Sequence, residues 1–284
     1  MRFCKMNGAG NDFLIINNLE EKLPHSVFPH LACTLCHRHL SVGADGLMVV
    51  ERSESGADFK MLFYNADGSA GEMCGNGARC ICRYGYEKGL SGETQMVETP
   101  SGTVTGERID HRNYRIRLTD PSVVRLEYPV EVLGAEIPCS YVELGVPGLP
   151  HAVVRVEGLK NKSLDELREL GRTLRYHNRF PKGANVNFYD IDAEDQLTLR
   201  TYERGVEDFT FACGTGTGST VLVLTLMGKV SGKDVAVHNP GGLLRVSVDR
   251  TGNVIEHLRL TGPTNIVCTG EVLDEELHLR ENIY

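Results

Sequence analysis

Two short segments of this chain repeat one another, and each puts a cysteine at the start of a helix-like stretch. The first reads Cys74-Gly75-Asn76-Gly77-Ala78-Arg79, the second Cys213-Gly214-Thr215-Gly216-Thr217-Gly218. Gly89 follows the first cysteine by 15 residues and Gly228 follows the second by 15, a helix-stop glycine at the same distance in both. A helix start carries unpaired N–H groups and the positive end of the helix dipole. Both stabilise an anion. One such anion is a thiolate, whose pKa falls there; another is a substrate carboxylate, which glycine lets approach the backbone. With a carboxylate held by two such helix starts, its α-carbon has a sulfur on either face. One thiolate removes the α-proton, the opposite thiol delivers another, and the configuration inverts. This chemistry needs two groups of one type in opposite protonation states, titrating as a coupled pair.

Other assignments of these residues compete. Cys74 taken alone fits a structural thiol, and a nucleophilic cysteine with His151 as its base is a further reading, one that leaves the second cysteine without a role. Gly75-x-Gly77 lacks the third glycine and the acidic residue of a dinucleotide loop, and no phosphate-cradling G-x-x-x-x-G-K-[ST] occurs, so nucleotide binding is disfavoured.

The elements that must position the cysteines can be read from pattern. Residues 1–18 suggest a strand, a glycine loop and a second strand at 13–16, followed by a helix over 27–39. Strands are expected at 47–51 and 59–64, then the first cysteine helix, then a hairpin from 104–108 and 114–118. Around Asp120-Pro121 the pattern restarts. Strands are expected at 140–144 and 152–156, a helix at 163–175 opened by the capping box Ser163/Glu166, and strands at 185–189 and 197–201. The second cysteine helix is apolar on all sides, as a fully buried helix is, and strands at 243–248 and 255–261 follow. Thr99-Pro100-Ser101-Gly102 after the first helix matches Asn239-Pro240-Gly241-Gly242 after the second, 140 positions on, against 139 for the cysteines. Cysteine, stop glycine and Pro-Gly turn in one register indicate a duplication, with halves related by a pseudo-two-fold axis. The expected lobes are residues 1–119 plus 265–284, carrying Cys74, and 120–264, carrying Cys213.

Composition narrows the function classes. The chain has 284 residues, 41% hydrophobic and 24% charged, as a folded globular protein has. Its net charge of −8 gives no general attraction to nucleic acid or to an anionic membrane, and no apolar run reaches membrane-span length. The N-terminus enters a structured pattern at once, so a cytoplasmic location is the expectation. Nine cysteines, odd in number and irregular in spacing, do not make a disulfide framework. Cys33-Thr34-Leu35-Cys36, with His37 and His39 after it, has the look of a metal motif, but no second C-x-x-C completes a closed site. A core-facing helix with Leu31, Leu35 and Leu40 is the better reading, and no metal is expected.

The chain closely resembles the diaminopimelate epimerase family, nearly from end to end. The resemblance is carried by Met6-Asn7-Gly8-Ala9-Gly10-Asn11-Asp12-Phe13, Tyr64-Asn65-Ala66-Asp67-Gly68-Ser69 and the Cys74 segment, then by Ala184-Asn185, Tyr202-Glu203-Arg204-Gly205 and Ala212-Cys213-Gly214-Thr215-Gly216. It implies an α/β (α+β) fold of two pseudo-symmetric lobes, each a mixed, mainly antiparallel sheet wrapped around a central helix. It also implies cofactor-independent, two-base epimerisation at one α-carbon, with no pyridoxal phosphate. By resemblance Cys74 and Cys213 are the acid/base pair, and Glu203 and His151 are auxiliary catalytic residues near the reacting amino group. The amides of Gly75, Asn76, Gly214 and Thr215 hold the α-carboxylate. Asn11, Asn65, Asn185 and Arg204 hold amino and carboxylate groups, chiefly at the distal end. Arg204 suits that role because its planar fork binds a carboxylate bidentately; a surface ion pair with Glu207 is the alternative.

One segment departs from the family pattern. Where the family has Gly-Asn-Pro-His, this chain reads Gly145-Val146-Pro147-Gly148-Leu149-Pro150-His151, which places Leu149 at the asparagine position with no side-chain hydrogen bond to offer. The expected reaction is conversion of LL- to meso-diaminopimelate, an intermediate for lysine and cell-wall peptide, by a homodimer. The alternatives are a related epimerase of another amino acid, an isomerase of the phenazine-biosynthesis type sharing the fold without two-thiol chemistry, and a non-catalytic amino-acid-binding protein.

Overall fold

In a computed structural model of the protein, residues 1–71, 74–252 and 254–273 are described. The chain divides into two compact units. One is Met1–Ile116 with the segment from Gly262 onward, the other Arg117–Thr261.

The first unit contains β1 (Arg2–Gly8), β2 (Asn11–Asn17), the short helix α1 (Asn18–Glu21), α2 (Phe28–Leu35), β3 (Gly46–Glu51), β4 (Phe59–Asn65), α3 (Gly75–Glu87), β5 (Thr94–Thr99), β6 (Gly102–Arg108) and β7 (Asn113–Arg117). The last strand among the described residues, β17 (Asn265–Glu271), returns to this unit beside β1. The strands lie in the order β17-β1-β2-β3-β4-β5-β6-β7. Along that order the pairings run antiparallel, antiparallel, parallel, antiparallel, parallel, antiparallel, antiparallel. The two parallel steps are the ones a helix crosses, α2 between β2 and β3 and α3 between β4 and β5, as parallel neighbours require. The run Phe13-Leu14-Ile15-Ile16 is buried throughout because the sheet is covered on both faces. Leu14 and Ile16 pack with Leu31 and Leu35 of α2, while Phe13 reaches Gly77 of α3. Helix α3 lies against β1, β2, β5 and β6 and is buried from Gly75 to Cys82.

The second unit contains β8 (Pro121–Val132), β9 (Ala135–Leu144), β10 (Leu149–Arg155), α4 (Leu164–Arg175), β11 (Asn185–Ala193), β12 (Gln196–Glu203), β13 (Asp208–Thr210), α5 (Gly214–Leu226), β14 (Val235–Asn239), β15 (Gly242–Thr251) and β16 (Val254–Pro263). Its order is β8-β9-β10-β11-β12-β14-β15-β16, with β13 folded back on β12. The pairings follow the same series as in the first unit, and α4 and α5 cross the two parallel steps. The strand β8 fills the place that β17 fills in the first unit. Each unit is thus a mixed, mainly antiparallel sheet around one buried helix.

The repeat is close at the helices. Both α3 and α5 have 13 residues, and Gly89 and Gly228, just past their ends, share a left-handed φ of +67°. The box at α4 is present in both directions, Glu166 N–H donating to Ser163 Oγ at 3.4 Å and Ser163 N–H to Glu166 Oε2 at 2.7 Å. Some expectations fail. Helix α2 stops at Leu35 rather than continuing to 39, because the returning chain takes its last carbonyls: Gly43 N–H donates to Leu35 and Ala44 N–H to Cys36. Leu31, Leu35 and Cys36 are buried as expected, but Cys33 is exposed and Leu40 is 83% exposed. Strands β5, β8, β13, β14 and β17 were not legible from pattern.

The two central helices differ in what they press against. A Cβ added at Gly77 would meet the Met48 Cε methyl at 2.3 Å, the free end of a flexible chain; at Gly216 it would meet Asn187 Oδ1 at 2.1 Å and Cys213 Sγ at 3.3 Å. Asn187 is pinned by hydrogen bonds on both ends of its amide. Gly216→Ala is therefore expected to destabilise the protein by about 1–3 kcal/mol. Gly77→Ala is expected to be closer to neutral, since Met48 can swing away and alanine favours a helix by about 1 kcal/mol over glycine. Urea unfolding of both variants checks this; equal losses, or the reverse order, would refute it.

Candidate active site

Each unit carries its own cluster of the residues singled out by sequence. In the first, Cys74 is the N-cap of α3, with extended backbone (φ −97°, ψ 128°) and a half-buried side chain. Its carbonyl accepts from Ala78 N–H at 2.8 Å, which starts the helix. The first-turn amides of Gly75 and Asn76 have no carbonyl acceptor within the helix. Asn76 is fully buried, and its Nδ2 donates to Asn11 Oδ1 at 2.6 Å. Asn11, at the start of β2, donates in turn to Asp45 Oδ2 at 3.1 Å. Arg38 bridges Asp45 and Asp12, and Lys5 pairs with Asp12 at 3.1 Å. Burial pushes the Asp12 carboxyl up, but the Arg38 and Lys5 hydrogen bonds outweigh it and hold it below its ordinary value. Asn65 stands apart from this chain of contacts. It ends β4 in an exposed turn, where its Nδ2 donates to Ser69 Oγ at 2.9 Å.

Arg79 was quoted in the motif but given no role, and the structure puts it at the centre of the first cluster. It is fully buried, with Nη2 donating to Asn76 Oδ1 at 2.9 Å and Nη1 to the Gly75 carbonyl at 3.3 Å. An arginine amid an otherwise buried helical stretch was the available signal.

In the second unit Cys213 is the N-cap of α5 (φ −108°, ψ 112°) and is buried. Its Sγ accepts from Gly216 N–H at 3.4 Å and lies 3.5 Å from the Thr215 hydroxyl, so Thr215 contributes a side chain as well as an amide. Thr217 closes the first turn by donating both its N–H and its hydroxyl to the Cys213 carbonyl. His151 on β10 is fully buried and sits opposite Asn185 on β11, its parallel neighbour. Asn187, two residues on and on the same strand face, was not anticipated. Its Nδ2 faces the carbonyls of Ala152 and Asn185 at 3.1 and 3.2 Å, while its Oδ1 accepts from Thr201. That fixes the amide, and it turns Nδ2 toward His151 Nδ1 at 3.3 Å. Nδ1 is therefore the acceptor, and the ring proton sits on Nε2, a buried atom with no hydrogen-bond partner among the described residues. Burial, then the charge of Arg204, pushes the His151 pKa down to about 3, so the ring is neutral.

Arg204 leaves β12 with its N–H on Asn185 Oδ1 at 2.8 Å and its guanidinium on the Lys182 carbonyl at 3.2 Å. The alternative ion pair with Glu207 does not form: Glu207 is taken by Arg175, at 2.9 and 3.1 Å, and by Gly205 N–H. Glu203, the last residue of β12, is raised by burial, an effect partly offset by the Thr210 hydroxyl. Leu149 opens β10 across from Leu144, partly buried. The second cluster thus joins His151, Asn185, Asn187 and Arg204, with Asn187 packed against the first turn of α5. Among the described residues, no group of three or more His, Cys, Asp or Glu is placed to hold a metal ion, and no helix is long and apolar enough to cross a membrane.

Comparison with known proteins matches these two halves to one family. The family model for diaminopimelate epimerase covers residues 3–124 and 146–267, omitting only the tips of the chain and most of the β8–β9 hairpin. A diaminopimelate epimerase of Aquifex aeolicus is 38% identical over 286 residues, 98% of this chain and 99% of the relative. One from Methanothrix thermoacetophila is 36% identical over 285 residues, 98% of each chain. Among solved structures, a probable proline racemase from Agrobacterium radiobacter superposes with a TM-score of 0.70 over 97% of this chain and 95% of its own, at 18% identity, a likeness of fold. On the full-length match, the chain belongs to the diaminopimelate epimerase family.

Proposed function

We propose that this chain interconverts LL- and meso-diaminopimelate without a cofactor, an isomerase step toward lysine and cell-wall peptide, with Cys74 and Cys213 exchanging the α-proton. The observation that carries the reading is the pair of matched helix starts: each cysteine is the N-cap of a 13-residue buried helix, in a chain of this family. Two-base epimerisation requires a thiolate to take the α-proton from one face of the carbon while a thiol returns one to the other. The carbanion that forms is adjacent to the α-carboxylate, so negative charge spreads onto that group as the proton leaves. Helix-start amides on the carboxylate, those of Gly75, Asn76, Gly214 and Thr215, then interact more strongly with the transition state than with the ground state. Preorganised N–H groups of this kind need no reorientation during reaction.

The other residues divide by what their chemistry allows. A neutral His151 with its proton on Nε2 is a hydrogen-bond donor, not a general base, which suits it to hold a substrate group in place. Glu203, raised by burial, sits with it near the reacting amino group in this reading. Asn11, Asn65, Asn185 and Arg204 take the distal amino-acid end, where Arg204 answers the second carboxylate. Leu149 supports a second reading, an epimerase of another amino acid, because an apolar side chain stands where the family pattern has an amide. The first reading is favoured because Arg204 is not committed to Glu207. The enzyme is read as acting in the cytoplasm as a homodimer.

Incubation with LL-diaminopimelate in heavy water, followed by chiral chromatography and mass spectrometry, is expected to give meso product carrying α-deuterium with no added cofactor. Absence of product together with turnover of a different amino acid would establish the second reading. Cys74→Ala and Cys213→Ala are each expected to lower kcat by about 10²–10⁴-fold, the range for a positioned acid or base. A variant that keeps wild-type turnover would remove that cysteine from the reaction. His151 gives a stability prediction of definite sign. The unfolded chain takes up a proton on this ring below its ordinary 6.5, while the folded chain does not until about 3, so stability falls as pH drops through that window. Thermal melts at pH 7 and pH 5 are expected to show a smaller drop for His151→Gln than for the wild type; an equal drop would mean that the ring is protonated in the folded state.

A further inference from the structure

We propose that Arg79 is a positioning residue: a buried guanidinium that dictates which way the Asn76 side-chain amide faces and, with Asp45 at the other end, holds Asn11 in one orientation to the substrate. The inference rests on the reading above for the role of Asn11; its geometric part does not.

The argument is one of donors and acceptors. A guanidinium has only donors. Its Nη2 lies 2.9 Å from the Asn76 side chain, so the oxygen of that amide must face it, and the nitrogen must point the other way. There it meets Asn11 at 2.6 Å, which must answer with its own oxygen. The nitrogen of Asn11 is then left to face Asp45, an acceptor carboxylate, at 3.1 Å. Each amide in the relay is held by complementary partners at both ends, with a donor-only group at one terminus and an acceptor at the other. An asparagine amide has nearly the same shape in either orientation, so with one terminus lost the relay rests on the other alone, and Arg79 is the terminus that acts directly on Asn76.

The fold itself does not require the arginine. At the equivalent position of the second repeat, 139 residues on, stands Gly218, and the same helix-in-sheet frame packs there against Leu118 and Leu258. A frame that accommodates glycine and leucine at this point has no need of a buried cation for packing alone. Among the described residues no carboxylate is paired with Arg79, so an apolar side chain in its place leaves no unpaired charge behind, only the acceptor Asn76 Oδ1. Arg79 is held in the first unit with two of its nitrogens committed to Gly75 and Asn76, the first two residues of the helix that Cys74 caps.

The test pairs a structural with a kinetic readout. In protein labelled with ¹⁵N at asparagine side chains, the Asn11 and Asn76 NH₂ groups are expected to exchange slowly in the wild type. In Arg79→Met they are expected to exchange at least tenfold faster, Asn76 most, with backbone amides of α3 still protected and Tm lowered by only a few degrees, as the loss of that one buried hydrogen bond implies. With diaminopimelate, Arg79→Met is expected to raise KM about tenfold with kcat within threefold of wild type. Arg79→Lys, still donor-only, is expected to restore most of the KM. Arg79→Met combined with Asn11→Ala is expected to be no worse than Asn11→Ala alone, because both remove one oriented contact. Should Arg79→Met not fold, Arg79→Gln replaces it: its amide can present either end, and the same loss of protection and rise in KM are expected. Unchanged side-chain exchange in the Met or Gln variant overturns the inference, as do a wild-type KM and a double variant whose losses multiply. A wild type inert on diaminopimelate would defeat the proposed reaction and leave the exchange measurement to decide the relay.

Discussion

A helix that begins inside a protein leaves first-turn N–H groups that its own backbone cannot satisfy, and each unit holds one such beginning, at Cys74 and at Cys213. An unpaired buried donor costs about 1–3 kcal/mol, so a buried helix start is stable only when something answers it. At α5 part of the answer is internal, since the Cys213 sulfur accepts from Gly216 N–H. At α3 Arg79 answers acceptors rather than donors, its guanidinium donating to the Gly75 carbonyl and to Asn76 Oδ1. Reaching these buried positions forces close approach of backbones. A Cβ at Gly8 of β1 would lie 2.8 Å from the Asn76 carbonyl oxygen, so only glycine lets the first strand run this near the helix. The glycine content of both motifs follows from packing as much as from access for a substrate carboxylate.

Legibility from sequence tracked how locally each feature is encoded. Cys74 and Cys213, the stop glycines Gly89 and Gly228 and the capping box at Ser163 are short-range signals, and each is realised in the structure. The strands that escaped notice lack a strong local pattern. In β8, most side chains from Val123 to Tyr128 are exposed and apolar alternation is confined to Tyr128, Val130 and Val132 at its end, while in β17 Ile266, Val267 and Cys268 are exposed and no alternation can be read. Strand β17 pairs with β1 across almost the whole length of the chain, a contact no window of sequence contains. The same holds for the site. Asn11 and Asn76 could be named by motif, but the arginine that joins them to one orientation, and Asp45 that ends the relay, become visible only when β2, α3 and the segment before β3 are brought together. Asn187 was hidden differently: its place two residues after Asn185 says that both share a strand face, but not that Asn187 meets the first turn of α5.

Duplication explains why two thiols are alike; the neighbours behind them explain how they can differ. A helix terminus favours an anion by about 0.3–2 kcal/mol, and one pKa unit corresponds to about 1.36 kcal/mol. A terminus therefore moves a thiol toward neutrality without deciding, between two equivalent thiols, which carries the proton. A two-base reaction needs one thiol protonated and the other not, and two coupled thiols reach that state because loss of the first proton disfavours loss of the second. The repeats have diverged behind the two helix starts. Behind the first helix start is a permanent cation, Arg79, buried among the thiols of Cys80, Cys74 and Cys82. Behind the second, the matching residue is Gly218, and the helix start meets Asn187 and the hydroxyls of Thr215 and Thr217, with His151 held uncharged by burial and by the charge of Arg204. Environments that push two similar groups apart are how an acid and a base are told from one another at one pH. The fold repeats the two helix starts, and the residues behind them, Arg79 in one repeat and Gly218 in the other, are where the repeats part.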